Sequence, residues 1–177
     1  MKIKKTKVYK GKNINVTFYE SKIKNKIIKH EMVEQNNAVA ILALDGDDVI
    51  LVEEFRYPIG YVLEIPAGNI DKNETALACA KRELLEETGY RAKQIKHLTR
   101  FYPKLGYNTQ MIDCYVATKL QKVASPNLDN DELITVKKIK FQKLLNLIKE
   151  GKILTSFTIC AALTYELKKR IKNENKL

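Results

Sequence analysis

Glu83, Glu86 and Glu87 fall within one short stretch, and Arg82 immediately precedes them. In a helix, Glu83 and Glu87 stand one turn apart and Glu86 lies on a neighbouring face. Like charges at that spacing destabilise a helix by about a few tenths of a kcal/mol per pair, and Arg82 and Lys81 offset only part of this. One explanation is a solvated acidic face. The other is a site for a hard cation, because Mg²⁺ takes oxygen ligands in octahedral geometry and commonly holds substrate phosphates as well.

The spacing around these acids separates the two. Read literally, Gly68 to Tyr90 is G-x5-E-x7-R-E-L-x-E-E-x-G-Y, with Gly68, Glu74, Arg82, Glu83, Glu86, Glu87 and Gly89 as its fixed letters. At roughly one in fifteen per letter, the seven coincide by chance below about once in ten million starts. The stretch resembles the Nudix box, the signature of enzymes that hydrolyse a nucleoside diphosphate linked to another group. Tyr90 stands where an aliphatic residue is usual, which is a packing position. The resemblance implies Glu83, Glu86 and Glu87 as catalytic metal ligands, completed by the main-chain carbonyl of Ala67 before the box glycine. It implies Mg²⁺ as the cofactor, with Mn²⁺ an acceptable substitute. Arg82 belongs to the same catalytic set and is expected to orient the glutamates. Glu74, eight residues earlier and on roughly the same helix side, is its expected partner.

These residues must be carried by a loop followed by a helix. Asn73 is a plausible N-cap, Glu74 suits a first turn at the positive end of the helix dipole, and Gly89 is placed to end the helix. Leu77, Ala80 and Leu84 recur at helical spacing and predict the apolar face. Upstream, Asn37 to Leu44 is a continuous apolar run, as in a strand buried on both faces. The turn Asp45-Gly46-Asp47-Asp48 and a partner strand over Val49 to Phe55 follow. Pro58 and Gly60 mark a turn, and Val62 to Ile65 reads as a short strand leading into the box loop. Downstream, strands are expected over Ala92 to Phe101, Gln110 to Ala117 and Leu133 to Ile139. Helices are expected over Phe141 to Glu150 and from a cap at Ser156 onward.

The segment EFRYPIGYVLEIPAGNID is similar to the ADP-ribose pyrophosphatase branch of the Nudix family, which carries R-Y-P and E-[LI]-P-A-G elements. The match makes Arg56 and Glu64 candidate substrate contacts. A guanidinium suits a diphosphate or a stacked adenine, although Arg56 could equally pair with Glu53 or Glu54. The branch's S-P-G reads Lys104-Leu105-Gly106 here, so Gly106 keeps the glycine expected against substrate while the proline is lost. Tyr107 stands about where the dinucleoside polyphosphate branch has a tyrosine. In related enzymes a loop glutamate outside the box helps activate water. Glu132 matches it best, with Asp131 and Asp129 as alternatives.

Before the apolar run, residues 6 to 34 alternate apolar and polar, with turns near Lys10-Gly11-Lys12 and Lys24-Asn25-Lys26, and predict three antiparallel strands. Such a meander has little core and must pack on the rest of the chain or on another copy. In the ADP-ribose branch a similar sheet builds a homodimer. The resemblance thus implies an α+β protein: dimerising strands over 1–36, then a Nudix-type α/β/α sandwich with a mixed central sheet over 37–177. The expected activity is hydrolysis of ADP-ribose or a related nucleoside diphosphate sugar. The alternatives are a dinucleoside polyphosphate or NTP pyrophosphohydrolase and a non-catalytic nucleotide- or RNA-binding regulator.

Composition is consistent with this. At 177 residues the chain suits one domain. Its three cysteines form no pair at metal-binding or redox spacing, and His30 and His97 are isolated. These features predict a reduced, cytoplasmic protein. The net charge of +11 comes largely from lysines at both ends. No nucleic-acid motif accompanies them, so a solvated lysine-rich surface, which could also draw in an anionic, phosphate-bearing substrate, explains the charge better than nucleic acid does. No apolar run is long enough to span a membrane.

Overall fold

The fold follows from one strand that is apolar on both sides. In the computed structural model, which describes residues 2–128 and 133–175, β4 (Ala38–Asp45) buries every residue but its last. Ala38, Ala40, Leu42 and Leu44 face one way, and Val39, Ile41 and Ala43 face the other. Each face needs its own cover. Two helices, α2 (Phe141–Lys149) and α3 (Ser156–Glu174), close the first with Leu144, Ala161 and Ala162. The second is closed by Cys79, Ala80 and Leu84 of α1 (Ala76–Thr88).

Around β4 the sheet is mixed. The strands β5 (Asp48–Arg56), β6 (Gly60–Glu64), β7 (Ala67–Asn69), β8 (Tyr90–Phe101), β9 (Ile112–Lys122) and β10 (Ile134–Lys140) join it in the order β10-β5-β4-β9-β8, with β6 on β5 and β7 on β4. Among the described residues of this sheet β4 and β9 run parallel, and the other strand pairings are antiparallel. This is the α/β/α sandwich with a mixed central sheet that the resemblance implies.

Before it stands a separate antiparallel sheet of β1 (Ile3–Lys10), β2 (Asn15–Ile23) and β3 (Lys26–Glu34). Lys24 and Asn25 both have positive φ, as a two-residue hairpin turn requires. Every residue of β1 is exposed. β3 is tied to the rest of the chain by Val33, which donates to the Tyr107 carbonyl at 2.6 Å and accepts from the Thr109 amide at 3.0 Å.

Several local expectations shift. Thr75, not Asn73, caps α1: it has extended backbone and accepts from the Ala78 amide at 3.2 Å. Asn73 lies in the left-handed region with φ 70°, within the turn that precedes the cap. Glu74 is likewise outside the helix. Leu77 is 41% exposed, because the inward stripe is Cys79, Ala80, Glu83, Leu84, Glu87 and Thr88. Gly89 ends α1 as expected, left-handed and donating to Leu85 O. Thr155 rather than Ser156 holds the N-cap of α3 and makes no capping bond from its side chain. β8 starts at Tyr90, and β9 spans Ile112–Lys122.

Candidate active site

Two of the box glutamates belong to the buried stripe of α1. Glu83 is 8% exposed and Glu87 2%. They are therefore not part of a solvated acidic face. The register explains what they meet. β7 pairs with β4 through Val39 and Gly68, which brings the box loop over the inner side of α1. There the Ala67 amide donates to Glu87 Oε2 at 3.2 Å. Gly68 faces Glu83 so closely that a Cβ would collide with its carboxylate. The main chain of Ala67 and Gly68 thus lies directly against two carboxylates.

Arg82 sits at the centre of the remaining acids. Its Nε and Nη2 donate to the two oxygens of Glu74 at 3.0 and 2.9 Å, and Nη1 donates to Glu83 at 2.8 Å and Glu86 at 2.9 Å. Nη2 also reaches the Asn69 carbonyl at 3.3 Å. The guanidinium beside Glu74 holds that carboxyl down at about 2. The bond to Glu74, with those to the other acids, keeps Arg82 protonated against the effect of its burial. Cys79 lies within this group, 3.4 Å from the Asn69 carbonyl, and burial pushes its thiol up.

A second acidic group adjoins the first. Arg56 pairs with Glu64 at 2.6 Å and with Glu54 at 2.7 Å, not with Glu53. Burial drives the Glu64 carboxyl up and Arg56 pulls it back. The guanidinium stays charged despite its own desolvation because of Glu64, Glu54 and, further off, Glu87.

Gly106 lies in the exposed turn before β9 with open space around it. Tyr107, in the same turn, is half-exposed with Lys104 Nζ 5.7 Å from its ring centre. Glu132, Asp131 and Asp129 lie outside the described residues. Two residues of the site escaped notice in the sequence. Glu54 counted only as one of two possible partners of Arg56, although Glu54 and Arg56, two apart on one strand, must share a face. Asn69 contributes through its backbone, for which no side-chain pattern exists.

The donor set suits hard divalent cations. Among the described residues Glu54, Glu64, Glu74, Glu83, Glu86 and Glu87 gather around the guanidiniums of Arg56 and Arg82 in a partly buried region. Carboxylates gathered at such close quarters favour a cation or a proton among them. Among the described residues no three His, Cys, Asp or Glu side chains converge as metal ligands, and Arg82 engages Glu83 and Glu86.

Residues 34–156 match the NUDIX domain model. The chain is 32% identical to the ADP-ribose pyrophosphatase of Bacillus subtilis (strain 168), over 96% of this chain and 94% of that protein. It is 31% identical to the methanol dehydrogenase activator of Bacillus methanolicus, over 97% and 95%. It is 29% identical to the GDP-mannose pyrophosphatase of Enterobacter sp. (strain 638), over 78% and 79%. The crystal structure of an ADP compounds hydrolase superposes with a TM-score of 0.82 at 21% identity, covering 100% of this chain and 98% of that one, and shares the fold. The fold and the box together define a phosphoanhydride hydrolase scaffold. The chain belongs to the Nudix family and is a Nudix hydrolase. Among the described residues no helix is long and apolar enough to cross a membrane.

Proposed function

We propose that the protein hydrolyses the pyrophosphate bond of ADP-ribose or a related nucleoside diphosphate sugar, giving a nucleoside monophosphate and a sugar phosphate. The observation that carries this is the burial of Glu83 and Glu87 against the main chain of Ala67 and Gly68, with Glu86 and Glu74 gathered beside them around Arg82. Buried carboxylates are stabilised by a cation that joins them. Glu83, Glu86, Glu87 and the Ala67 carbonyl would hold Mg²⁺ or Mn²⁺. When bound, such ions acidify water and relieve charge on phosphoryl oxygens. Arg82 keeps Glu83 and Glu86 in place through its bonds to both, and Glu74 anchors Arg82 from the other side. Arg56, half-exposed at the end of β5, offers a guanidinium to the diphosphate. Water adds across the P–O–P bond, with oxygen going to one phosphorus and the proton to the departing phosphate. Glu132 remains the expected aid to water activation.

The relatives named for ADP-ribose and GDP-mannose support a nucleotide-sugar substrate. Tyr107, exposed beside Lys104, favours a second reading in which a dinucleoside polyphosphate stacks a base there. One assay separates the two. ADP-ribose, GDP-mannose and Ap4A are compared for nucleotide release with Mg²⁺ and with EDTA, in ¹⁸O water. Label on a phosphate and preference for the nucleotide sugars support the proposal. Preference for Ap4A overturns it.

The N-terminal sheet supports a homodimer. Ile3, Val8, Tyr9, Phe18, Ile23 and Ile27 are large apolar residues left exposed on it. A three-stranded sheet is stable when such a surface is covered, and a second copy is the occupant the resemblance implies.

A further inference from the structure

The pairing of β5 with β6 sets Val52 opposite Glu64, Glu54 opposite Val62 and Arg56 opposite Gly60. Glu54, Arg56 and Glu64 therefore share one face of the hairpin, with the two acids diagonal across it. Arg56 gives Nε at 3.2 Å and Nη2 at 2.6 Å to a single oxygen of Glu64, and Nη2 lies 2.7 Å from Glu54 Oε2. The Nε and Nη2 side of the guanidinium is thereby used up. Among the described residues Nη1 makes no hydrogen bond.

Burial is unequal. The Glu64 side chain is 1% exposed and that of Glu54 10%, while that of Arg56 is 43% exposed. Glu64 Oε2 is buried and finds no hydrogen-bond partner among the described residues. Two buried acids on one half-exposed guanidinium make a poor device for stability, because desolvating carboxylates costs more than such pairing returns. They make a good device for direction. A planar fork held by two fixed acceptors has one orientation, whereas a free arginine has many.

We propose that Glu54 and Glu64 are positioning residues which aim the remaining Nη1 edge of Arg56 at the substrate diphosphate. Glu64 then acts through Arg56 rather than by touching substrate itself. The inference rests on the nucleotide-sugar reading above.

The test is a cycle in the full chain with Glu54→Gln, Glu54→Asp and Arg56→Lys, following kcat and KM for AMP release from ADP-ribose, with thermal melts alongside. Glu54→Gln raises KM about tenfold with kcat within about threefold, since a contact shared by ground and transition states acts on KM. Glu54→Asp recovers part of the loss. In the Arg56→Lys background, which lacks the fork, adding Glu54→Gln shifts KM by less than about twofold. Equal KM effects in both backgrounds, or a lowered melting temperature with KM unchanged, overturn the inference. Glu64→Gln is a second probe, and if it fails to fold the Glu54 variants still decide. A wild type that releases no nucleotide from any nucleotide sugar overturns the functional reading and this inference with it. An active wild type whose KM ignores Glu54 overturns this inference alone.

Discussion

The carboxylate of Glu83 occupies the space that a side chain on Gly68 would need. Gly68 does not have a positive φ, so the requirement for glycine here is steric and not conformational. Gly68→Ala must push Glu83 off its place. Forcing a methyl into a filled site costs about 1–3 kcal/mol, so the variant still folds. Its hydrolysis rate falls roughly 10²-fold, the size expected when one preorganised group is displaced. Steady-state assays with circular dichroism as the folding control check this. Unaltered turnover would mean that the position of Glu83 does not matter.

Arg82 satisfies Glu74, Glu83 and Glu86 at once. Arg82→Lys keeps the charge but loses the fork, whose separate nitrogens Nε, Nη1 and Nη2 serve acids on different sides. The expected loss is about 1.5–3 kcal/mol in urea unfolding, the range for hydrogen bonds to charged groups. Glu74→Gln in the same background adds little, because the two act as one unit. Additive losses would show that Glu74 works independently of Arg82.

The N-terminal sheet carries its own pH signature. Tyr19 donates to Glu34 at 2.6 Å, Thr17 at 2.9 Å and Lys5 at 3.2 Å. The Tyr19 hydroxyl, followed by Thr17 and Lys5, outweighs burial and holds the carboxyl below its ordinary value. A depressed carboxylate contributes stability that is complete above the unfolded value and disappears as pH falls through the folded one. Glu34→Gln therefore melts below wild type at pH 7, by roughly 2–4 °C for about 1 kcal/mol in a chain this size. The gap closes as pH drops below about 4. Melts at pH 7, 5 and 3 measure it, and a gap that widens in acid has the wrong sign.

The dimer proposal is checked on the same sheet. Phe18 and Val8 are both exposed on it. A charge at either position, as in Phe18→Glu or Val8→Glu, opposes burial against a second copy. Light scattering then shows a shift from dimer towards monomer, while the far-UV spectrum is retained. A wild type that is monomeric at micromolar concentration removes the proposal.

Much of this site could be read in the chain because its spacing is helical. Arg82, Glu83, Glu86 and Glu87 follow the turn of α1, and β4 declared itself by an unbroken apolar run. What could not be read depended on tertiary choices. Asn73 and Thr75 are both capping types, and the turn in which the Glu74 amide donates to the Asp71 carbonyl decides between them. The stripe through Leu77 and the stripe through Cys79 fit the helical period equally well, and the docking of Glu83 and Glu87 under the box loop selects the second. That Glu54 and Arg56 share a face follows from their spacing, but that Glu64 lies beside them depends on the register of β5 with β6, which no local pattern encodes.

The most direct measurement is the rate of AMP release from ADP-ribose by metal-stripped protein as Mg²⁺ is added back, for wild type and Glu87→Gln in parallel. No release is expected without the ion, saturating recovery with it, and a Glu87→Gln rate lower by about 10²-fold or more at saturation. Release that is independent of Mg²⁺, or a Glu87→Gln protein as fast as wild type, would contradict the metal assignment.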